Sequence, residues 1–238
     1  MILKSEGIVL RTLKHQDSNL IATLYTKEYG IRSFIIKSYR SSRSRGRHSY
    51  FQPLSIVDIV FLQKDNRSLQ KINESKISVL LQEAQTDPVK MSIGLAMMEI
   101  FYDTVKEEEA NLQLYTFLRH NILYLDQSER KLVNIFIYFL MQLTAFLGFS
   151  PNDKAGLSGG VHFDIRLGTF SEAGQNPDPI AKLLLRFYRS QLQDCQEITF
   201  STVEKRHIIR TLFDYYEAHV EGFKYPQTLR VFSEVFGG

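Results

Sequence analysis

Apolar and polar residues alternate through the first 80 residues of the chain, and this period of two is typical of β-strands. Turn-forming stretches at residues 16–19 and 27–30 separate the apolar runs. The pattern predicts five strands, at residues 7–13, 20–26, 32–37, 54–62 and 69–77. A longer polar stretch, residues 38–48, separates the third strand from the fourth.

Five short strands within 80 residues predict a small closed barrel, because closing the sheet removes its exposed edges. The oligonucleotide-binding (OB) fold is the commonest five-stranded barrel, and the long excursion after the third strand agrees with it. An SH3-like barrel is the alternative, since the pattern does not determine the order of the strands.

Beyond Ile77 the apolar period lengthens to about 3.6 residues, the period of an amphipathic helix. Helix-start signals occur at Asp87–Pro88 and Asp178–Pro179, and Ser201 with Glu204 forms a capping box. The pattern predicts helices near residues 91–105, 112–125, 128–146, 178–195, 201–219 and 228–236. A glycine-rich stretch without cysteine interrupts them at about residues 150–177, with a small hairpin expected at residues 161–164 and 168–170.

The two periods together predict an α+β protein with two domains. Residues 1–80 are expected to form the OB-fold barrel as a nucleic-acid-binding domain, and residues 81–238 are expected to form an all-α domain with a small irregular insert. No apolar run is long enough for a transmembrane helix, and the N-terminus lacks the features of a signal peptide. The single cysteine, Cys195, excludes an internal disulfide framework, and the cytoplasm is the expected location.

Positive charge is concentrated in the predicted barrel. Residues 1–80 contain 14 Lys and Arg against six Asp and Glu, a net charge of +8, whereas the rest of the chain has a net charge of −5. The densest part is Lys37 to Arg47, where five of eleven residues are cationic and none is acidic. Small serine and glycine residues separate these charges, so the segment suits a phosphate backbone.

Residues near this segment complete the predicted phosphate-binding set. Tyr39, Tyr50 and Phe51 are expected to offer stacking faces to bases, and cations near strand ends are expected to extend the basic patch. The predicted DNA-binding residues are Arg11, Lys14, Lys37, Tyr39, Arg40, Arg43, Arg45, Arg47 and Arg67.

Motifs for catalysis are missing from the sequence. The six histidines are not spaced as zinc ligands, and Ser158-Gly159-Gly160 lacks the Lys-Ser/Thr of a phosphate-binding loop. We therefore expect no catalytic residue, no cofactor and no metal. A metal-dependent nuclease stays an alternative, because carboxylates distant in sequence can meet in space.

The order of motifs resembles the RecO family of bacterial recombination mediators. The resemblance rests on residues 6–11 and 17–20 in the opening strands, Tyr29-Gly30-Ile31, the basic segment, and Phe51-Gln52-Pro53-Leu54 before the fourth strand. It continues in residues 215–223, with an aromatic helix, His219 and a Gly-Phe turn, and in a terminal helix at 229–236.

The resemblance implies an OB domain followed by a helical domain, single- and double-stranded DNA as ligands, and annealing of complementary strands. It also implies RecR and the C-terminal tail of single-stranded DNA-binding protein as partners, help in loading RecA onto coated DNA, and association with the nucleoid. Many members carry a four-cysteine zinc module, but residues 151–175 contain no cysteine, so no structural zinc is expected.

The net acidic charge of residues 81–238 favours protein partners over DNA for this part of the chain. Its local basic groups are candidates for binding an acidic peptide tail: Arg119, Arg130, Lys131, Arg206 and Arg210. An RNA-binding or ribosome-associated adaptor remains the second hypothesis, because the same barrel chemistry would bind RNA phosphates.

Overall fold

A computed structural model describes residues 1–15, 19–36, 49–63, 68–106, 109–155, 160–173 and 178–228. The last predicted helix, at residues 228–236, falls almost wholly outside them. The strands of the first part are β1 (Ile2–His15), β2 (Asn19–Thr26), β3 (Gly30–Ile36), β4 (Ile56–Leu62) and β5 (Leu69–Val79). The elements that follow are α1 (Pro88–Thr104), α2 (Leu112–Gln127), α3 (Leu132–Phe146), β6 (Asn152–Asp153), β7 (Gly160–Asp164), β8 (Thr169–Ala173), α4 (Pro179–Arg189) and α5 (Thr202–His219).

The described chain divides into two compact units. The first contains residues 1–127 together with Thr228, and the second contains residues 128–227, each taken over its described residues. Helices α1 and α2 therefore belong to the same compact unit as the barrel. The predicted division at residue 80 coincides with the change from strands to helices, and as a domain boundary it stays a prediction.

Strands β1 to β5 close into a barrel in the order β1-β2-β3-β5-β4. Strand β3 pairs with β5 in parallel, and the other neighbours pair antiparallel. This arrangement confirms the predicted OB-fold barrel and supplies the strand order, which the sequence pattern left open.

Alternate side chains of the strands fill the barrel interior. The interior residues are Leu3, Val9, Ala22, Leu24, Phe34, Ile36, Val57, Ile59 and Phe61, closed by Phe51 from a 3-10 helix at Ser49–Phe51. Phe34 and Phe61 meet edge to face with ring centroids 5.1 Å apart. Burial of each large apolar side chain contributes about 1.5–3 kcal/mol, so this alternation is what stabilises the barrel.

A β-bulge in β1 changes which side chains point outward. Val9 lies opposite Leu24 and Arg11 lies opposite Thr23, so Leu10 is an extra residue on β1. Val9 and Leu10 are consequently both buried, while Arg11 is exposed on the outer surface. Bulges commonly re-aim side chains in this way, and this one turns a cation outward from an apolar strand.

Helices α1 and α2 pack on the outer face of the barrel. Tyr25 of β2 points out of the barrel and meets Phe101 of α1 at 5.0 Å and Tyr115 of α2 at 6.2 Å. Gly94 of α1 approaches Leu54 so closely that a Cβ there would lie 2.5 Å from a Leu54 methyl. The residues between β5 and α1 are fixed by Asp126, whose carboxylate accepts backbone N–H bonds from residues 82, 83 and 84.

In the second unit, strands β6, β8 and β7 form a small sheet within the predicted insert. The expected hairpin is confirmed as β7 and β8. The capping box of Ser201 and Glu204 at α5 is confirmed as well. The prediction that the helix from residue 178 continues to about 195 is wrong, because Ser190 leaves the helical conformation and Asp194–Glu197 forms a separate 3-10 helix.

Candidate nucleic-acid interface

Two of the predicted DNA-binding residues, Arg11 and Lys14, lie within the described part of the chain. Both are exposed near the end of β1. The others lie outside the described residues, and their role stays a prediction: Lys37, Tyr39, Arg40, Arg43, Arg45, Arg47 and Arg67. The described geometry of the candidate interface is therefore that of Arg11 and its neighbours.

The guanidinium of Arg11 lies over an aromatic ring of α1. The guanidinium carbon is 3.7 Å from the ring centroid of Tyr102, within the range of a cation–π interaction. Stacking leaves the N–H groups at the edge of the guanidinium available to a phosphate. Tyr102 was missed by sequence reasoning, because nothing in the strand pattern of β1 indicates which residue of a later helix will pack beside it.

The expected stacking role of Phe51 is wrong. Phe51 is 2% exposed and belongs to the barrel interior, so it cannot meet a base. Tyr50 is partly buried and packs against the same interior. Phe51 therefore closes the barrel beneath its surface, whereas the expected stacking role of the partly exposed Tyr50 stays a prediction.

Arg119, predicted to bind a partner peptide, forms an ion pair within the first unit. Its Nε donates to Oε1 of Glu6 at 3.1 Å, and the Tyr115 hydroxyl donates to the same oxygen at 2.9 Å. The Ser78 hydroxyl donates to the other carboxylate oxygen. Burial tends to raise the pKa of Glu6, but these hydrogen bonds and the Arg119 charge outweigh it and hold the pKa below its ordinary value.

The other candidate peptide-binding residues lie in the second unit. Arg130 and Arg206 are exposed. Lys131 donates to the backbone oxygen of Gln196, and Arg210 lies 4.0 Å from Asp214 in an exposed pair. Such an exposed pair is weak, so Arg210 can exchange its partner at little cost.

The cysteine-free insert is stabilised by aromatic packing and does not suit a zinc ion. Phe163 stacks on Phe170 at 4.4 Å and meets Tyr215 of α5 at 5.1 Å. The Asp164 carboxylate accepts two backbone N–H bonds within the hairpin turn. Among the described residues, no group of three His, Cys, Asp or Glu side chains is placed to hold a metal.

The chain's one cysteine is also unsuited to metal binding. Cys195 is fully buried, and burial raises the pKa of its thiol to about 12, which disfavours the thiolate that metals require. In the part of the chain that the structure describes, no helix is both long and apolar enough to cross a membrane.

Two sequence families match the chain in succession. The family described as Recombination protein O N terminal matches residues 1–79, and Recombination protein O C terminal matches residues 85–228. Proteins named DNA repair protein RecO from Flavobacterium johnsoniae and Phocaeicola vulgatus are 30% and 31% identical to it, each over 99% of this chain and 100% of the relative. The protein of that name from Bacteroides fragilis is 30% identical over the same shares. These matches extend over the barrel and the helical part in the order in which the structure has them, and the chain therefore belongs to the RecO family of DNA repair proteins.

Proposed function

We propose that the protein binds single- and double-stranded DNA and anneals complementary strands as a mediator of recombinational repair. The observation that carries the proposal is the net charge of +8 on residues 1–80, in a closed barrel that exposes Arg11 and Lys14. Neutralising phosphates releases condensed counterions, which favours binding without sequence preference.

The proposed mechanism needs no catalytic residue. Two complementary strands repel each other through their phosphates, and a basic barrel surface lowers that repulsion. Base pairing then supplies the free energy of annealing, so no cofactor or nucleoside triphosphate takes part. Persistent cleavage of labelled DNA by the pure protein with Mg²⁺ or Mn²⁺ would contradict this proposal.

The helical part is proposed to bind protein partners. RecR and the C-terminal tail of single-stranded DNA-binding protein are the proposed partners, and help in loading RecA onto coated DNA is the proposed consequence. Exposed cations of the second unit, Arg130, Lys131, Arg206 and Arg210, are the proposed contacts for an acidic tail. Arg119 is a weaker candidate, because releasing it would leave Glu6 without its cationic partner. Association with the nucleoid would follow from DNA binding.

A salt titration of single-strand affinity tests the DNA-binding proposal. For single strands the slope of log K against log salt is about −0.7 for each phosphate neutralised. Replacing Arg40, Arg43, Arg45 and Arg47 together with alanine should therefore flatten the slope by up to about 3 units. The matched control replaces Lys182 and Arg186, two exposed cations of α4 in the second unit, and should leave the slope unchanged.

Two outcomes would contradict the proposal. Affinity that does not change between about 50 and 200 mM salt would exclude phosphate neutralisation. An unchanged slope in the fourfold variant would place the phosphate contacts outside the basic segment. Competition between single-stranded RNA and DNA decides the second hypothesis, since an RNA adaptor would prefer RNA at equal length.

A further inference from the structure

One face of the barrel, formed by β1, β4 and β5, carries an ordered pattern of charge. The side chains that alternate with the interior residues Leu3, Ile59 and Phe61 point outward on this face. Strand pairing places the outward residues in three rows, each running from β1 through β4 to β5: Ile2, Leu62 and Lys71; Lys4, Val60 and Glu74; Glu6, Asp58 and Lys76. We call these residues the β1-β4-β5 face.

The signs of the charges reverse across the β1-β4-β5 face. In the middle row a lysine on β1 and a glutamate on β5 flank Val60, whereas in the next row a glutamate on β1 and a lysine on β5 flank Asp58. Lys4 and Glu74 are exposed, and no ion pair among the described residues includes either of them. Lys76 pairs with Asp58 at 3.3 Å, but both side chains are exposed, so this pair is weak and can exchange partners.

This reversal makes the face complementary to itself. A half-turn about an axis parallel to β4, lying between two copies, brings β1 of one copy over β5 of the other. Lys4 then faces Glu74 of the second copy. In the next row Lys76 faces Glu6 of the second copy, and the symmetry repeats each contact. Stacked sheets lie about 10 Å apart, a gap that a lysine and a glutamate side chain span together.

Apolar side chains lie where the axis would pass. Val60 and Leu62 on β4 are partly exposed, and each would meet its own counterpart in the second copy. Ile2 is 65% exposed and would face Lys71 of the second copy, whose methylene stem can cover it. Removal of this apolar surface from water would add to the ion pairs on either side.

A nucleic-acid strand is a poor occupant for this face, because its three carboxylates oppose a polyanion as strongly as its three lysines attract one. Asp58 is the unfavourable residue for a second copy, since it would meet its own counterpart, and the adjacent Lys76 offsets that repulsion. A groove of about 550 Å³ follows the face and is bordered by Lys27 and Glu28 of the turn after β2, which leaves room for the long side chains of a second copy.

We propose that two copies of this protein associate through the β1-β4-β5 face as a two-fold symmetric dimer. The contact uses three outward positions on each of three strands, fewer than the roughly 20–30 residues a side of a standard stable interface. The dimer should therefore be weak, with a dissociation constant of about 10–100 µM.

The inference goes beyond the proposed function, and only its consequence rests on that function. A dimer would carry two basic barrels, and annealing requires two strands to be held close together. Association would matter most where many copies coat neighbouring strands, because the local protein concentration is then high. The test below contains no DNA, so failure of the dimer and failure of DNA binding are distinguishable.

Sedimentation equilibrium of the full chain from about 5 to 200 µM covers the expected dissociation constant. The wild type should change from monomer to dimer over this range. K4E places an acid opposite Glu74 at both symmetric positions and should weaken association at least about tenfold, and E74K should do the same with two lysines opposite Lys4.

Exchanging the two charges tests the symmetry itself. The double variant K4E/E74K keeps the net charge and restores opposite charges at both positions, so its dissociation constant should return to within about threefold of the wild-type value. A mixture of the K4E and E74K proteins should also associate, because the acids of one copy then face the lysines of the other. Association of the mixture would show that both single variants are folded.

Matched controls carry the same charge changes on the second unit. K182E and E172K alter exposed residues of α4 and β8; each should keep the wild-type dissociation constant, and their mixture should associate no more tightly than either alone. Any of three results would overturn the inference: a wild type that stays monomeric at about 200 µM, a K4E protein that dimerises like the wild type, or a folded double variant that stays monomeric.

Discussion

Replacement of Glu6 by glutamine tests whether a charged cluster fastens α2 to the barrel. Glu6 lies on β1, and its carboxylate accepts hydrogen bonds from Ser78 of β5 and from Tyr115 and Arg119 of α2. The Glu6 side chain is only 19% exposed, so water replaces these partners poorly. Glutamine keeps the size of the side chain and removes the charge.

The expected loss in free energy of unfolding follows from the three hydrogen bonds that the Glu6 carboxylate accepts. Hydrogen bonds to a charged group contribute about 1.5–3 kcal/mol and neutral ones about 0.5–1.5 kcal/mol. Glutamine retains bonding to some of the partners, and the pair is not fully buried, so the expected loss is about 2 kcal/mol for E6Q. E6A should cost more than E6Q, about 3 kcal/mol, because it removes every acceptor; the loss stays below that of a fully buried pair, since the Arg119 side chain is 33% exposed.

The pH dependence of the stability difference between the wild type and E6Q shows whether the charge of Glu6 causes that difference. The folded-state pKa of Glu6 is lowered from its ordinary value of 4.5, so the ionised carboxylate stabilises the folded state fully above about pH 4.5. This contribution disappears as pH falls from there through the lowered pKa. The difference in free energy of unfolding between the wild type and E6Q should therefore be largest near pH 7 and vanish in strong acid.

Urea unfolding followed by circular dichroism measures this difference, since the chain has no tryptophan to report by fluorescence. Hydrogen exchange in β1 and α2 should locate the change in the first unit. The matched control is D58N, which removes an exposed ion pair with Lys76 on the same barrel and should cost under about 0.5 kcal/mol. Equal effects of E6Q and D58N, or an E6Q effect that does not change with pH, would refute the reasoning.

Three further substitutions probe packing in the two units. F170A removes a fully buried ring from the insert and should lower the free energy of unfolding by about 3–5 kcal/mol, which faster hydrogen exchange of the small sheet would report. L167A, at a residue that is 75% exposed, should change this exchange little, and so should addition of a chelator to the wild type. If a chelator alone made the amides of the small sheet exchange faster, the claim that aromatic packing stabilises the insert without a metal would be contradicted. G94A should lower the melting temperature, because its Cβ would lie 2.5 Å from Leu54, although alanine favours helix by about 1 kcal/mol; a higher melting temperature would show that Leu54 moves aside easily. D126N should cost about 1–3 kcal/mol in urea unfolding, because an amide oxygen cannot accept all three backbone N–H bonds that the carboxylate accepts, and unchanged stability would mean that water satisfies them.

The sequence by itself determined the classes of the elements and their order. Alternation along residues 1–80 specified five strands, and the capping box at Ser201 specified where α5 begins. These features are local: a strand or a helix start depends on residues within a few positions of each other. The excess of positive charge in the barrel was also readable directly, because composition does not depend on folding.

Only the tertiary structure decided which side chains meet. The bulge at Leu10 that exposes Arg11, and the ring of Tyr102 beneath its guanidinium, depend on strand register and on helix packing. The pairing of Arg119 with Glu6 joins residues that are far apart in the chain. Phe51 is a case in which the local sequence misled. Its position beside a basic segment suggested an exposed ring, but the ring is buried in the barrel interior, where it is stabilised by removal from water. Contacts between distant segments arise from packing the whole barrel and its helices, and no local pattern encodes them.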